Sequence, residues 1–154
     1  MADRVAASIE LGGVLSALNY RKLCETIENE GLSIEWDGEP FEAHHRIEGQ
    51  SLCLYAYEVA WGKFDMLETL CVTMGLPFVR WSGAYPGQFG AERVVFTGAG
   101  EPQSYAADED DYVVIGRHTA EKLGSLEAII AYFDAADFQV PPLVVEGELI
   151  EAEA

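Results

Sequence analysis

Apolar and polar residues alternate with a period of two, switch to a helical period, and alternate again, twice over in the first half of the chain. In residues 7–11, polar Ser8 and Glu10 interleave with Ile9 and Leu11, which predicts a strand ending at Gly12-Gly13. Tyr20, Leu23, Cys24 and Ile27 then make one helical stripe, with Asn19 as the predicted N-cap and Gly31 placed for a left-handed C-cap. Residues 32–36 alternate again, Ile34 and Trp36 inward and Glu35 and Asp37 outward, up to a turn at Asp37-Gly38. Residues 51–59 are apolar on both faces, as a central strand is. Phe64, Leu67, Cys71 and Met74 predict a helix over 63–74 that closes at Gly75, followed by a strand over 76–81. Sliding the chain by 44 residues puts Leu23 on Leu67, Gly31 on Gly75, Leu32 on Leu76 and Ile34 on Phe78, the pattern of a degenerate repeat.

The second half is less regular. Residues 83–90 form a Gly/Pro/aromatic loop, 93–96 and 112–115 read as strands, and Asp108 to Asp111 make an acidic turn between them. Thr119 is placed to cap a short helical turn closed by Gly124. Ser125 caps a longer helix whose Leu126, Ile129, Ile130 and Phe133 share one stripe. Pro141-Pro142 prevents a helix beyond, and 143–145 has the makings of an edge strand. The expected organisation is one domain over 1–140 and an extended acidic tail over 141–154. Two strand-helix-strand units predict an α+β fold, an antiparallel sheet with helices on one face. Its core would be ferredoxin-like, βαββαβ, extended by extra strands and a third helix.

Composition narrows the function. Of 154 residues, 27 are Asp or Glu against 9 Lys or Arg, a formal charge of -18, yet 49% are hydrophobic. Disordered acidic tails lack that apolar content, so the chain can bury a core. Its field repels phosphate backbones and anionic headgroups, which argues against direct contact with nucleic acid or membrane. No apolar run approaches the ~18 residues of a bilayer span. The first ten residues hold one basic side chain and a short apolar stretch broken by Glu10, a poor signal peptide. Cys24, Cys53 and Cys71 are odd in number, far apart and set among apolar neighbours, which predicts buried free thiols in a reducing cytoplasm.

No motif for catalysis, a cofactor or a metal emerges. His44 and His45 on an extended segment would point to opposite faces. The three cysteines read as core, and Trp81-Ser82-Gly83 lacks the first glycine of a nucleophile elbow. Glu58, between Tyr57 and Val59, is the carboxylate with the most apolar context, although a sheet edge would turn it to solvent. The loop from Gly83 to Gly90 lacks a phosphate-binding lysine and reads as a hairpin. Its Tyr85 and Phe89, with Trp81, offer an aromatic contact surface for a protein.

The acids are segregated. Residues 25–48 hold eight of them against Arg46 alone, 49–100 are nearly balanced, and no basic residue follows Lys122. Alternate strand positions repeat about every 6.6 Å and same-face helical pairs lie about 5–6 Å apart, spacings comparable to phosphates along a DNA strand. Glu35, Asp37 and Glu39 fit the strand version and Glu25 with Glu28 the helical one. Glu42 and the turn Asp108, Glu109, Asp110, Asp111 add to the surface. In size, acidity and segregated carboxylates, though in no alignable motif, the chain resembles the phage- and plasmid-encoded inhibitors of host defence, the DNA-mimicking antirestriction and anti-CRISPR proteins. That resemblance implies a stoichiometric inhibitor, free of cofactor and catalytic residue. It would act in the host cytoplasm by occupying the basic nucleic-acid channel of a nuclease or surveillance complex. Two other readings stand beside it: a small enzyme or ligand-binding domain using the Gly83–Gly90 loop, and an acidic housekeeping domain adapted to salt.

Overall fold

β1 (Arg4–Leu11) is the strand around which the sheet is built, because its odd-numbered side chains Ala7, Ile9 and Leu11 are all fully buried. It pairs antiparallel with β3 (Leu52–Ala60) on one side and β4 (Phe78–Ser82) on the other. β5 (Glu92–Phe96) and β6 (Gln103–Ala106) extend the sheet beyond β4, in the order β3-β1-β4-β5-β6. The computed structural model describes residues 3–146. Of the acidic tail expected over 141–154, the part from 147 to 154 lies outside them.

The fold is α+β. β3 and β4 run parallel with β1 between them and are joined by α2 (Asp65–Met74), a split β-α-β unit. The strand expected over 32–36 is reduced to Ser33, whose N–H and C=O both bond Tyr55 on the free edge of β3. The order from Ser33 through β3 and β1 to β4 is that of the βαββαβ core, its second strand shrunk to one bridge. β3 is consequently next to the edge rather than central, and its outward residues are exposed.

α1 (Ala17–Glu30) is capped by Ser16, whose hydroxyl accepts from the Asn19 N–H, so the cap lies three residues before the expected one. Gly31 and Gly75 end α1 and α2 with φ of 71° and 69°, a left-handed geometry that glycine adopts without steric cost. The 44-residue correspondence is therefore structural: Leu23 and Leu67 are both fully buried, as are Leu32 and Leu76. It ends at Ile34, which lies in a bend while Phe78 begins β4. Leu23, Cys24 and Ile27 of α1 and Leu67 and Cys71 of α2 pack with Ile9, Leu54, Phe78 and Phe96 into one core. Fully burying each large aliphatic side chain there contributes about 1.5–3 kcal/mol.

Residues 138–146 are not simply an extended tail, and the strand expected over 143–145 is present. β7 (Leu143–Glu146) pairs in parallel with β2 (Gly13–Ser16), and its Leu143 and Val145 join the main core. The domain therefore runs through 146 rather than stopping at 140. The strand expected over 112–115 is one bridge, Ala107 to Val113, and the strand actually present is β6. α3 (Arg117–Leu123) and α4 (Leu126–Ala136) follow. α4 departs from the one-faced arrangement: Ala136 and Tyr132 pack with Val79, Val95 and Tyr105 on the sheet face opposite α1 and α2. Its expected inward stripe is only partly covered, with Leu126 72% and Ile130 51% exposed.

Candidate functional site

α4 covers the β4-β5-β6 half of its face and leaves the β3-β1 half open. Period two decides what that open half presents. Ser8 of β1 lies between Tyr55 of β3 and Trp81 of β4, and Glu10 lies between Cys53 and Val79. A register shift in β3 opposite Ala6 sets Tyr57 beyond Tyr55 at the rim, where it is 49% exposed. Cys53 is exposed, which corrects the buried thiol expected from its apolar sequence neighbours; Cys24 and Cys71 are buried as expected.

The segment after the Ser33 bridge folds over this face. Gly38 N–H bonds the Glu35 carbonyl at 3.0 Å and Asp37 adopts φ 59°, so 35–38 is a turn. The regular strand spacing expected for Glu35, Asp37 and Glu39 is therefore absent. What the turn does is set Trp36 against Tyr55 and Tyr57, with both ring-centroid distances 5.0 Å and interplanar angles of 54° and 42°. The Tyr57 hydroxyl donates to Asp37 Oδ2 at 3.3 Å. Desolvation, then Asp37 beside it, raises the Tyr57 hydroxyl above its ordinary pKa, so it stays protonated and remains a donor.

The acidic turn arrives from the other side. Asp108 Oδ1 accepts the Asp110 and Tyr112 N–H groups, both at 2.9 Å, and its carbonyl accepts Trp81 Nε1–H at 3.0 Å. Glu109 accepts the Ala84 N–H at 2.9 Å, and Asp111 pairs with Arg93 at 2.8 Å. Burial raises the Asp111 carboxyl, Arg93 opposing it, and its Oδ1 is buried without a hydrogen-bond partner among the described residues. The side chains of Asp108, Glu109 and Asp111 thus hold the turn in place, while that of Asp110 is exposed to solvent. A cavity of about 450 Å³ lies between the two acidic segments. Trp36, Tyr55, Tyr57 and Trp81 line it together with Glu109, Asp110 and Asp111, and no Lys or Arg is among its described lining residues.

No protein-family model, curated protein sequence or solved structure matches this chain. The functional reading therefore rests on the geometry of the site.

The remaining sequence candidates lie elsewhere. Glu25 and Glu28 are exposed on α1, which packs on the opposite side of the sheet. Glu42 and Glu39 stand beside a short 3-10 turn, Ala43–His45, at 3.8 Å from His44 and 3.9 Å from His45. That turn brings the two histidines together where an extended segment would have parted them, and ligand atoms of Glu42, His44 and His45 lie within 4.8 Å of one another. His45 Nδ1, however, accepts the Glu42 N–H at 2.9 Å, so the neutral ring carries its proton on Nε2 and has no lone pair left for a metal while the cap is intact. Tyr85 and Phe89 stack on each other at 6.0 Å across the loop, and Phe89 faces Trp61 at 6.3 Å, apart from Trp81.

Phe89 and Trp61 border a second cavity, of about 540 Å³, whose wall includes Lys63, Glu92 and Ser104. Behind it lies a charge cluster. Arg80, 2% exposed, pairs with Glu68 at 3.2 Å and Glu92 at 3.1 Å and donates to Ser82 at 2.9 Å. Burial raises the Glu68 carboxyl despite Arg80. At Glu92 burial also pushes upward, but the Ser104 hydroxyl and Arg80 outweigh it and the carboxyl ends below its usual range. These groups satisfy one another, the Ser82 hydroxyl accepting from Arg80 and the Ser104 hydroxyl donating to Glu92. Cys71, beside Glu68, is pushed up by burial to about 12 and is inert at neutral pH.

Thiol labelling checks the facing of β3. Under native conditions one thiol per chain is expected to react, Cys53, because it is exposed; partial burial and Glu10 raise its pKa, so labelling calls for mildly alkaline pH. Cys24 and Cys71 should label only after unfolding. Fast labelling of a second thiol in the native protein would show that the helix-covered core is misassigned.

Proposed function

We propose that the chain is a non-enzymatic inhibitor that occupies the basic surface of a nucleic-acid-binding protein and competes with the nucleic acid, in the manner of antirestriction and anti-CRISPR proteins in a host cytoplasm. The observation that carries this reading is convergence. Trp36, next to Asp37, and Asp110 come from acidic segments far apart in sequence and line one open aromatic sheet face, with Asp37 held beside it by the Tyr57 hydroxyl, and this supports the reading. Such a face attracts a Lys/Arg-lined channel at long range and offers it apolar contact at short range. The likeness to DNA is of charge rather than of lattice, because the turn at 35–38 abolishes phosphate-like spacing. Glu25 and Glu28, on the far side, belong to the solvated surface.

The test is stoichiometric competition. Added to restriction endonucleases and RNA-guided nucleases on labelled DNA, the chain is expected to displace DNA from one of them at near-equimolar ratio, with an affinity that falls steeply with salt. Binding to an enzyme that leaves its DNA in place would contradict the competitive part of this reading. A second reading rests on the cavity of about 540 Å³ beside Phe89 and Trp61, whose size suits a small ligand. It makes the chain a ligand-binding domain that uses the Gly83–Gly90 loop, and co-purification of a small molecule contacting Trp61 would favour it.

A further inference from the structure

Acidity alone would make the open face a counter-charge to any basic surface, but its walls are aromatic. Trp36, Tyr55 and Tyr57 form a wedge of three rings, with Trp36 39% and Tyr57 49% exposed. Trp81 lines the same cavity. Solvent-exposed aromatic rings at this density are costly to leave bare, and their π faces carry negative potential that attracts a cation. Glu109 and Asp110 in its lining add full negative charge, and no Lys or Arg is among the described lining residues. Asp37, bonded to the Tyr57 hydroxyl, lines the adjoining cavity, which Arg4 and Lys63 also border.

We propose that this wedge is a receptor for an arginine side chain of the partner, seated with its guanidinium against Trp36 and the tyrosines and its N–H groups toward Glu109 and Asp110. The inference deepens the proposed function and rests on it. Arginine fits better than lysine for three reasons. A guanidinium is planar and stacks on rings set at 42–54° to one another. It is more weakly hydrated, so it sheds less on entering an apolar wedge. Its fork of five donors also reaches the two neighbouring carboxylates Glu109 and Asp110 at once, which one ammonium does less well. The occupant is thus a side chain that basic nucleic-acid channels carry for phosphate recognition. The rings give a point of specificity that the carboxylates by themselves lack.

Hexa-arginine and hexa-lysine peptides of equal charge separate the two contributions. Binding to the full chain is followed by calorimetry and by tryptophan fluorescence at two salt concentrations. Hexa-arginine is expected to bind at least tenfold more tightly than hexa-lysine. Trp36→Ala should bring the two peptides to within about twofold while leaving their common salt dependence, and Trp61→Ala, on the other cavity, should leave the preference intact. Equal affinities for the two peptides in the native chain, lowered alike by salt, would overturn the arginine receptor and leave the wider acidic-surface reading standing. Absence of binding by either peptide would overturn both. Native-like circular dichroism of the Trp36 variant is the control for folding, and Trp36→Phe, which keeps a ring, should retain part of the preference.

Discussion

Replacing Arg80 by alanine is expected to destabilise the fold by about 3–5 kcal/mol, as removal of one member of a buried ion pair does. The guanidinium is 2% exposed and touches Glu68, Glu92 and Ser82, so its loss strands the Glu68 carboxylate between the sheet and α2 without a counter-charge. Urea titration of the variant should show a lower midpoint with an unchanged slope. The pH dependence has a definite sign. Burial already holds the Glu68 carboxyl above its ordinary value, and without Arg80 it rises further. A carboxyl raised in the folded state contributes stability that is present below the unfolded value and lost as pH rises through the folded one. The variant should therefore regain stability on mild acidification. Glu68→Leu added to Arg80→Met should recover most of the loss, since an apolar pair of similar volume leaves less charge buried. A cost below about 1 kcal/mol for Arg80→Ala, the size typical of surface pairs, would mean that the cluster is solvated.

Charge reversal at the open face should have the larger effect on binding. Asp37→Lys with Asp110→Lys sets two cations against a basic partner, and like charges placed together at an interface cost several kcal/mol. At about 1.4 kcal/mol per tenfold, the affinity for the displaced nuclease should fall on the order of a hundredfold or more. Glu25→Lys with Glu28→Lys changes the net charge by the same amount on the other side of the sheet, and should lower affinity only severalfold through the long-range field. Competition titrations of the two variants separate a local face from a diffuse charge. Equal losses in both would remove the open face from the account of binding. Asp110 is a suitable position because it is exposed, whereas Asp108, Glu109 and Asp111 also hold the turn.

The helices and the glycine ends of α1 and α2 are legible in the sequence because each carries local chemistry, apolar stripes at Leu23, Ile27, Leu67 and Cys71 and glycines where a left-handed cap is required. The starts are less so: Ser16 and Gly116 cap α1 and α3 in place of Asn19 and Thr119. Strands are legible only where the period-two pattern coincides with burial. Residues 32–36 have that pattern, but Asp37 and Gly38 close a turn so soon that a single residue, Ser33, reaches the sheet. β6 escapes a reading by pattern because Gln103–Ala106 has one apolar side chain of size facing in, Tyr105, while the more strand-like residues 112–115 make one bridge. Cys53 reads as core from its neighbours in sequence, yet in a strand those neighbours point the opposite way. The segregation of acids can be read directly. Their convergence cannot, because it depends on β3 and β1 sharing the half-sheet that α4 leaves uncovered. The aromatic wedge does leave a trace, Tyr55 and Tyr57 at alternate positions of one strand, but Trp36 joins them only through the turn that the strand pattern conceals.

Three tryptophans report on three places: Trp36 on the rim of the open face, Trp81 in its floor with its indole N–H bonded to Asp108, and Trp61 beside the other cavity. Their indole N–H resonances, followed while hexa-arginine is titrated into the full chain, test the claim that the open sheet face is the binding surface. The expected result is a saturable shift of the Trp36 resonance, a smaller shift of Trp81 and none of Trp61. A shift at Trp61 with Trp36 unmoved would place binding at the other cavity and contradict it.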